Sequence, residues 1–238
     1  MTRPIIVSAV QMEVSYNLED NVNKSLRFLD MTASSDIVCF PELSLTGFTR
    51  TSNAAILKEL KIIGKKAKEH NTWVLVGGYS TNNRTTYNET YLISATGELW
   101  HTYRKIHLWK PLERDVTPGS ESHAITTDFG KIGIAVCWDI YFSDTVHNLA
   151  NEGAEIIFCP MRWQGTDRDY YGLPRADAFR HKVFLVVCDT YAQDTTARSK
   201  IISPATVLAE AGRKEQIITK ELDLKLLDLH KKYFETIT

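Results

Sequence analysis

With 238 residues, 43% of them hydrophobic, the chain can bury a large core and is expected to form a single α/β domain over residues 1–238. Its 28 basic and 29 acidic residues are mixed along the chain and leave a formal charge of -1, which excludes a basic footprint for nucleic acid and an acidic tail. The opening run MTRPIIVSAVQM is too short for a signal peptide and no stretch is long enough to cross a bilayer, so a cytoplasmic protein acting on a small molecule is expected.

The elements alternate. IIVSAV reads as a strand, 18–34 as a helix, DIVCF as a strand, 53–69 as a helix, and TWVLVGGY and TYLISATGELW as strands. The second half repeats the order with KIGIAV, a helix at 143–152, AEIIFCP, a helix at 174–182, VFLVVCDT and SKIISPATVLAEAG. SAVQM falls on IAVCW, DIVCFPE on EIIFCPM, and LISATGEL on IISPATVLAEAG, which marks an internal pseudo-repeat. Two similar mixed sheets, each with helices on one face, bury their bare faces against each other, so the predicted fold is a four-layer α-β-β-α sandwich with strand ends of both halves at one rim. The tail after residue 221 carries apolar and charged residues at roughly helical spacing, fit to pack on the sandwich or on a second subunit.

Three strand ends carry chemistry. In FPELSLTGF, Pro41 stops the ladder and displays Glu42 among Phe40, Leu43 and Phe48; the residue reads either as a partly desolvated general base or as a carboxylate at a helix start. In YRKIHLW, Lys105 follows a strand between apolar neighbours, as a surface lysine or as an ammonium aimed at an oxyanion. In GIAVCWD, Cys137 ends an apolar run, as buried packing or as a nucleophile whose proton Glu42 removes and whose thiolate Lys105 stabilises, with the Trp138 amide as a second oxyanion donor.

Taken together and in that order, these runs resemble the glutamate, lysine and cysteine signatures of the nitrilase, or carbon-nitrogen hydrolase, superfamily. The resemblance extends through SAVQM, YNETYLISATGEL, TPG at 117–119 and RADAFRHKVFLVVCDT, nearly the whole chain. It implies the same sandwich, frequent homodimers or higher homo-oligomers, and no metal or organic cofactor. It also implies that Glu42 takes the thiol proton, Cys137 attacks the carbon of an amide or nitrile, Lys105 stabilises the tetrahedral intermediate, and water releases the acid from the sulfur.

Departures from the pattern are local. A second glutamate of the family corresponds to Glu113 in WKPLERDVTPG, one residue nearer the PG turn than the pattern has it. After the cysteine the chain reads CWDIYFSD, keeping Phe142 but not the family's Pro-Glu, and Ser143 is a candidate helix N-cap. Ala205 or Thr206 stands where a glycine is usual, and the C-terminus is short.

For the substrate pocket the candidates are Trp138, Asp139, Arg162 and Trp163. Arg162 suits a substrate carboxylate or a structural ion pair; Asp139 suits backbone amides or a cationic substrate. Trp138 with Asp139 leans towards an amide or N-carbamoyl amine, with a true nitrilase and a catalytically silent binding protein as alternatives. A metal-dependent phosphoesterase would have to draft Asp139, His147, Asp189 and Asp194, and would leave Cys137 and Lys105 unexplained. The other cysteines, Cys39, Cys159 and Cys188, lie in or at the ends of apolar runs and read as free buried thiols of a reducing compartment.

Overall fold

The computed structural model describes residues 3–163, 167–192 and 198–235. The first half runs β1 (Ile5–Gln11), α1 (Leu18–Met31), β2 (Ile37–Cys39), β3 (Thr51–Ser52), α2 (Asn53–His70), β4 (Trp73–Asn82), β5 (Thr85–Ile93) and β6 (Leu99–Arg104). The second runs β7 (Ile125–Thr127), β8 (Gly130–Ile134), a 3-10 turn at Cys137–Tyr141, α3 (Ser143–Asn151), β9 (Ile156–Met161), α4 (Asp167–His181), β10 (Phe184–Asp189), β11 (Lys200–Ile202), β12 (Val207–Glu210), β13 (Gln216–Leu222) and α5 (Lys225–Glu235).

Each half contributes the same core to its sheet. In the first, β1, β2 and β4 are parallel, and β5 and β6 follow antiparallel; in the second, β8, β9 and β10 are parallel, and β11 and β12 follow antiparallel. A helix crosses over between successive parallel strands in both halves, as parallel pairing requires. The overlay read from the sequence is therefore a structural repeat, β1 matching β8, β2 matching β9, and β5 matching β11.

The sheets stack as the inner layers of the sandwich, and the central strands are covered on both faces, which is why they read as unbroken apolar runs. Ile37 and Cys39 of β2 join Ile134, Phe158 and Val186 in the core between the sheets. Val38, and Phe40 just beyond the strand, point the other way, onto Val22 and Leu29 of α1 and Ile56, Leu60 and Ile63 of α2. The sheets also touch at their ends, where Met12 bridges Thr190.

Several boundaries differ from the sequence reading. Helix α4 runs through Pro174, a residue that reads as a boundary, and begins seven residues before the predicted start. Ser143 is the first residue of α3 rather than its cap; that place is taken by Phe142, which makes no side-chain capping bond. The tail after 221 is helical only from Lys225, and the residues before it form β13, which pairs antiparallel along the whole of β1 and so returns the second half to the first sheet. Among the described residues no helix is long and apolar enough to cross a membrane.

Candidate active site

Glu42 is displayed by the end of β2. The Phe40 amide still donates to Leu75 (2.9 Å), Pro41 then ends the ladder, and Leu43 turns the chain sharply with φ 56°. Lys105 follows β6 directly and is fixed through its backbone: its amide donates to Asn88 (2.9 Å) and its carbonyl accepts from Gly119 (2.9 Å). Gly119 packs so close that a Cβ there would run into the Arg104 carbonyl, which gives the TPG turn its need for glycine. Cys137 begins the 3-10 turn with φ 47°, a left-handed conformation that costs a non-glycine residue on the order of 1–2 kcal/mol. Strain of this kind persists where the surroundings fix it, and reactive residues are a common place for it.

The three strand ends meet. The Lys105 ammonium, 2% exposed, donates to Glu42 Oε1 (2.8 Å) and Glu113 Oε2 (2.9 Å). Asn88, in the middle of β5, spans the same pair, its Nδ2 donating to Glu42 Oε1 (2.8 Å) and Glu113 Oε1 (2.8 Å). Glu113 also accepts from the Trp109 amide (2.7 Å) and weakly from the Tyr79 hydroxyl (3.4 Å). Both bonds to Glu42 fall on Oε1, leaving its second oxygen without a hydrogen bond among the described residues. Glu42, Lys105, Glu113 and Tyr79 line one small pocket of about 20 Å³ with Cys137, Arg162 and an apolar wall that includes Leu43, Phe48 and Trp109.

The electrostatics follow from burial and two carboxylates. Burial raises the Cys137 thiol well above its usual range; Glu42 raises it further, and Lys105 pulls the other way. For Lys105 burial favours the neutral amine, but Glu42, Cys137 and Glu113 outweigh it, and its pKa stands well above the ordinary value. The resting pocket thus holds a neutral thiol beside a permanent ammonium. A carboxylate able to take a proton, a thiol able to form a covalent bond and a cation beside the developing oxyanion are the parts of nucleophilic acyl transfer.

The four remaining candidates are placed differently from one another. Arg162 lines the pocket, and its carbonyl lies 3.9 Å from Cys137 Sγ. Trp138, half-buried, packs on Tyr141 (ring centroids 4.2 Å), and Trp163 stacks on the same tyrosine at 5.5 Å while its amide donates to Asp189. Asp139 is fully buried and accepts from the amides of Val136 (2.8 Å) and His107 (2.8 Å), the Tyr103 hydroxyl (2.7 Å) and the His107 ring (3.1 Å). Its carboxylate ties the residue before Cys137 to the segment after Lys105. Asn88 was absent from the sequence candidates; its signal was a lone amide inside the apolar alternation of YNETYLI.

Of the residues a metal site would draft, Asp139 sits in that buried network, His147 on α3 bonds Asn151, Asp189 ends β10, and Asp194 lies outside the described residues. In the group of metal-ligand type found among the described residues, Asp30, Glu69 and His70, the two carboxylates are exposed, and Lys66 already bridges them at 2.9 and 3.0 Å.

The chain belongs to the carbon-nitrogen hydrolase family, whose profile matches residues 6–232. A 2-oxoglutaramate amidase of Bacillus subtilis is 27% identical over 92% of this chain and 91% of its own. Among solved structures, a carbon-nitrogen hydrolase of Helicobacter pylori superposes with a TM-score of 0.88 at 17% identity, covering 99% of this chain and 94% of that one. A Saccharomyces cerevisiae member of branch 10 of the nitrilase superfamily superposes with a TM-score of 0.86 at 20% identity, over 97% and 94% of the two chains. The four-layer sandwich is thus the nitrilase-superfamily fold, and the protein is a carbon-nitrogen hydrolase.

Proposed function

We propose that this chain hydrolyses the C–N bond of a small carboxamide or N-carbamoyl amine through a thioacyl intermediate on Cys137. The observation that carries this reading is the convergence of Glu42, Lys105 and Cys137, from three strand ends, in one buried pocket. The amidase name of the Bacillus relative supports the amide over the nitrile.

In this reading the Cys137 proton passes to Glu42 as sulfur bonds to the carbonyl carbon, and Lys105, aided by the Trp138 amide, holds the oxyanion. Collapse breaks the C–N bond, and Glu42 returns the proton to the leaving nitrogen, which departs as ammonia or an amine. Water then gives a proton to Glu42 and its oxygen to the thioacyl carbon; the acid leaves and the proton goes back to sulfur. Glu113 and Asn88 act on geometry, holding the ammonium and Glu42 in register. The residues alone supply each step, so no metal or cofactor is invoked.

Two further readings accompany it. A second copy of the chain covers the apolar surface between α4 and α5, where Phe179, Leu226 and Leu229 are 51%, 44% and 61% exposed. Four free buried thiols fit a reducing, cytoplasmic compartment. The test of the chemistry is ammonia release from small amides, N-carbamoyl amines and nitriles, run beside Cys137→Ala and Lys105→Ala. Each substitution should lower the rate more than about a hundredfold with the fold intact, because each removes a group acting on the transition state; near-native turnover in either variant would sink the proposal.

A further inference from the structure

Lys105, the ammonium of the pocket, has a second cation, Arg104, as its neighbour in sequence, and the two turn to opposite faces of the first sheet. On the inner face Lys105 meets Glu42 and Glu113. On the outer face the Arg104 Nε donates to Glu89 Oε1 (2.9 Å), and its guanidinium lies over the Tyr87 ring at 4.0 Å. Glu89 accepts a second bond, from the Tyr91 hydroxyl at 2.7 Å. By strand alternation Tyr87, Glu89 and Tyr91 share one face of β5, and Asn88, between them, faces the pocket.

Glu89 is only 4% exposed, on a strand face where Tyr91 and Ile93 pack under the helices. Taking a carboxylate out of water is costly, and ion pairs of this kind often add little to stability. Its placement is more telling. Glu89 and Arg104 are partners in the β5–β6 register, and just beyond them the Lys105 amide donates to the Asn88 carbonyl (2.9 Å). Each member of the outer pair is thus adjacent in sequence to one of the residues that hold Glu42 and Glu113.

The hairpin turn alone does not fix that register. Ile93 opposes Leu99 but Leu92 opposes His101, so Trp100 is an extra residue and the ladder is reset before it reaches Lys105. A slip of one residue turns a strand's side chains to the other face; on β6 it would swing Arg104 into the pocket and Lys105 out of it. Glu42 and Glu113 attract either cation. Glu89 decides between them by holding one on its own face, and the Tyr87 ring suits a guanidinium better than an ammonium.

We propose that Glu89 and Arg104 are positioning residues that sort the two adjacent cations, so that Lys105 and Asn88 face the pocket in register with Glu42 and Glu113. This rests on the amidase reading and extends its machinery to the outer face of the sheet.

The experiment compares the native protein with Glu89→Leu, Arg104→Met and Arg104→Lys, measuring kcat and KM on the amide cleaved fastest, the rate of iodoacetamide labelling of Cys137 from pH 7 to 10, and circular dichroism. Both apolar variants should keep the native spectrum and lose about tenfold to a hundredfold in kcat, with KM within about threefold. Cys137 should label more slowly in both at every pH, because a misplaced ammonium no longer favours the thiolate. Arg104→Lys, which keeps the charge, should recover most of both losses. Native kcat and native labelling in the folded apolar variants, whatever their Tm, would show that the pair only braces the sheet edge and would overturn the proposal; so would an Arg104→Lys no better than Arg104→Met. If Glu89→Leu does not fold, Glu89→Gln, which keeps the shape and one acceptor oxygen, takes its place in the comparison. If no amide is cleaved the labelling decides alone: slowed labelling supports the sorting of the cations even as the amidase reading fails, and unchanged labelling overturns it.

Discussion

Cys137 rests as a neutral thiol because its burial and the charge of Glu42 outweigh the pull of Lys105. In the proposed reaction the thiolate therefore forms in the encounter with substrate, when Glu42 would accept the proton, rather than standing ready beforehand. The sign gives a pH prediction: with a thiol raised well above 9, its thiolate fraction is small at neutrality and grows through pH 9 and beyond. Iodoacetamide labelling of Cys137 without substrate, followed by mass spectrometry of its peptide, should keep accelerating over that range; a plateau by pH 7 would contradict it. At this scale the sequence was legible where a functional group ends an apolar run, as Glu42, Lys105 and Cys137 do. Asn88 was not, because a polar residue inside a strand announces no partner, and the carboxylates it spans lie 46 and 25 residues away along the chain.

Between elements, Asp139 joins the turn at Cys137–Tyr141 to the segment that follows β6. Asparagine in its place offers one acceptor oxygen where a carboxylate with four donors now sits. Asp139→Asn should therefore destabilise the protein by about 1–3 kcal/mol and lower kcat, checked by denaturant unfolding and turnover. Sequence adjacency offered Asp139 either for backbone amides or for a cationic substrate; the left-handed start at Cys137 and the turn after it carry its carboxylate to the Val136 and His107 amides, a direction that no residue pattern encodes. On α4, burial raises the Asp177 carboxyl from 3.8 to about 6. His181 stands 3.9 Å away but contributes little charge, since burial and the neighbouring His147 hold its own pKa down. A carboxyl with a raised folded pKa contributes stability while protonated and loses it as pH climbs from about 4 to about 6. Asp177→Asn should accordingly raise Tm at pH 8 and lose that advantage at pH 5, as read by thermal melts at the two pH values.

At the scale of the molecule, the exposed faces of α4 and α5 carry the prediction for assembly: light scattering should find a dimer or larger oligomer, and Leu229→Asp should shift it towards monomer with the secondary structure unchanged. The alternation and the repeat were visible in the sequence because both faces of the parallel strands are buried. Strand β13 was not, because QIITKEL is largely polar and its partner β1 lies about two hundred residues away. The repeat also has a meaning for where chemistry can occur. In the overlay of the halves, Gln11 stands where Cys137 does and Met161 where Glu42 does. At the first of these mirrored positions, Gln11 binds the Gly212 and Lys214 carbonyls and the Ser199 amide, a structural knot with no sulfur and no acid. In the proposed reaction the first half supplies the proton acceptor and the cation and the second the nucleophile, a division of labour by which a near-symmetric scaffold would hold one reaction centre that neither half could form alone.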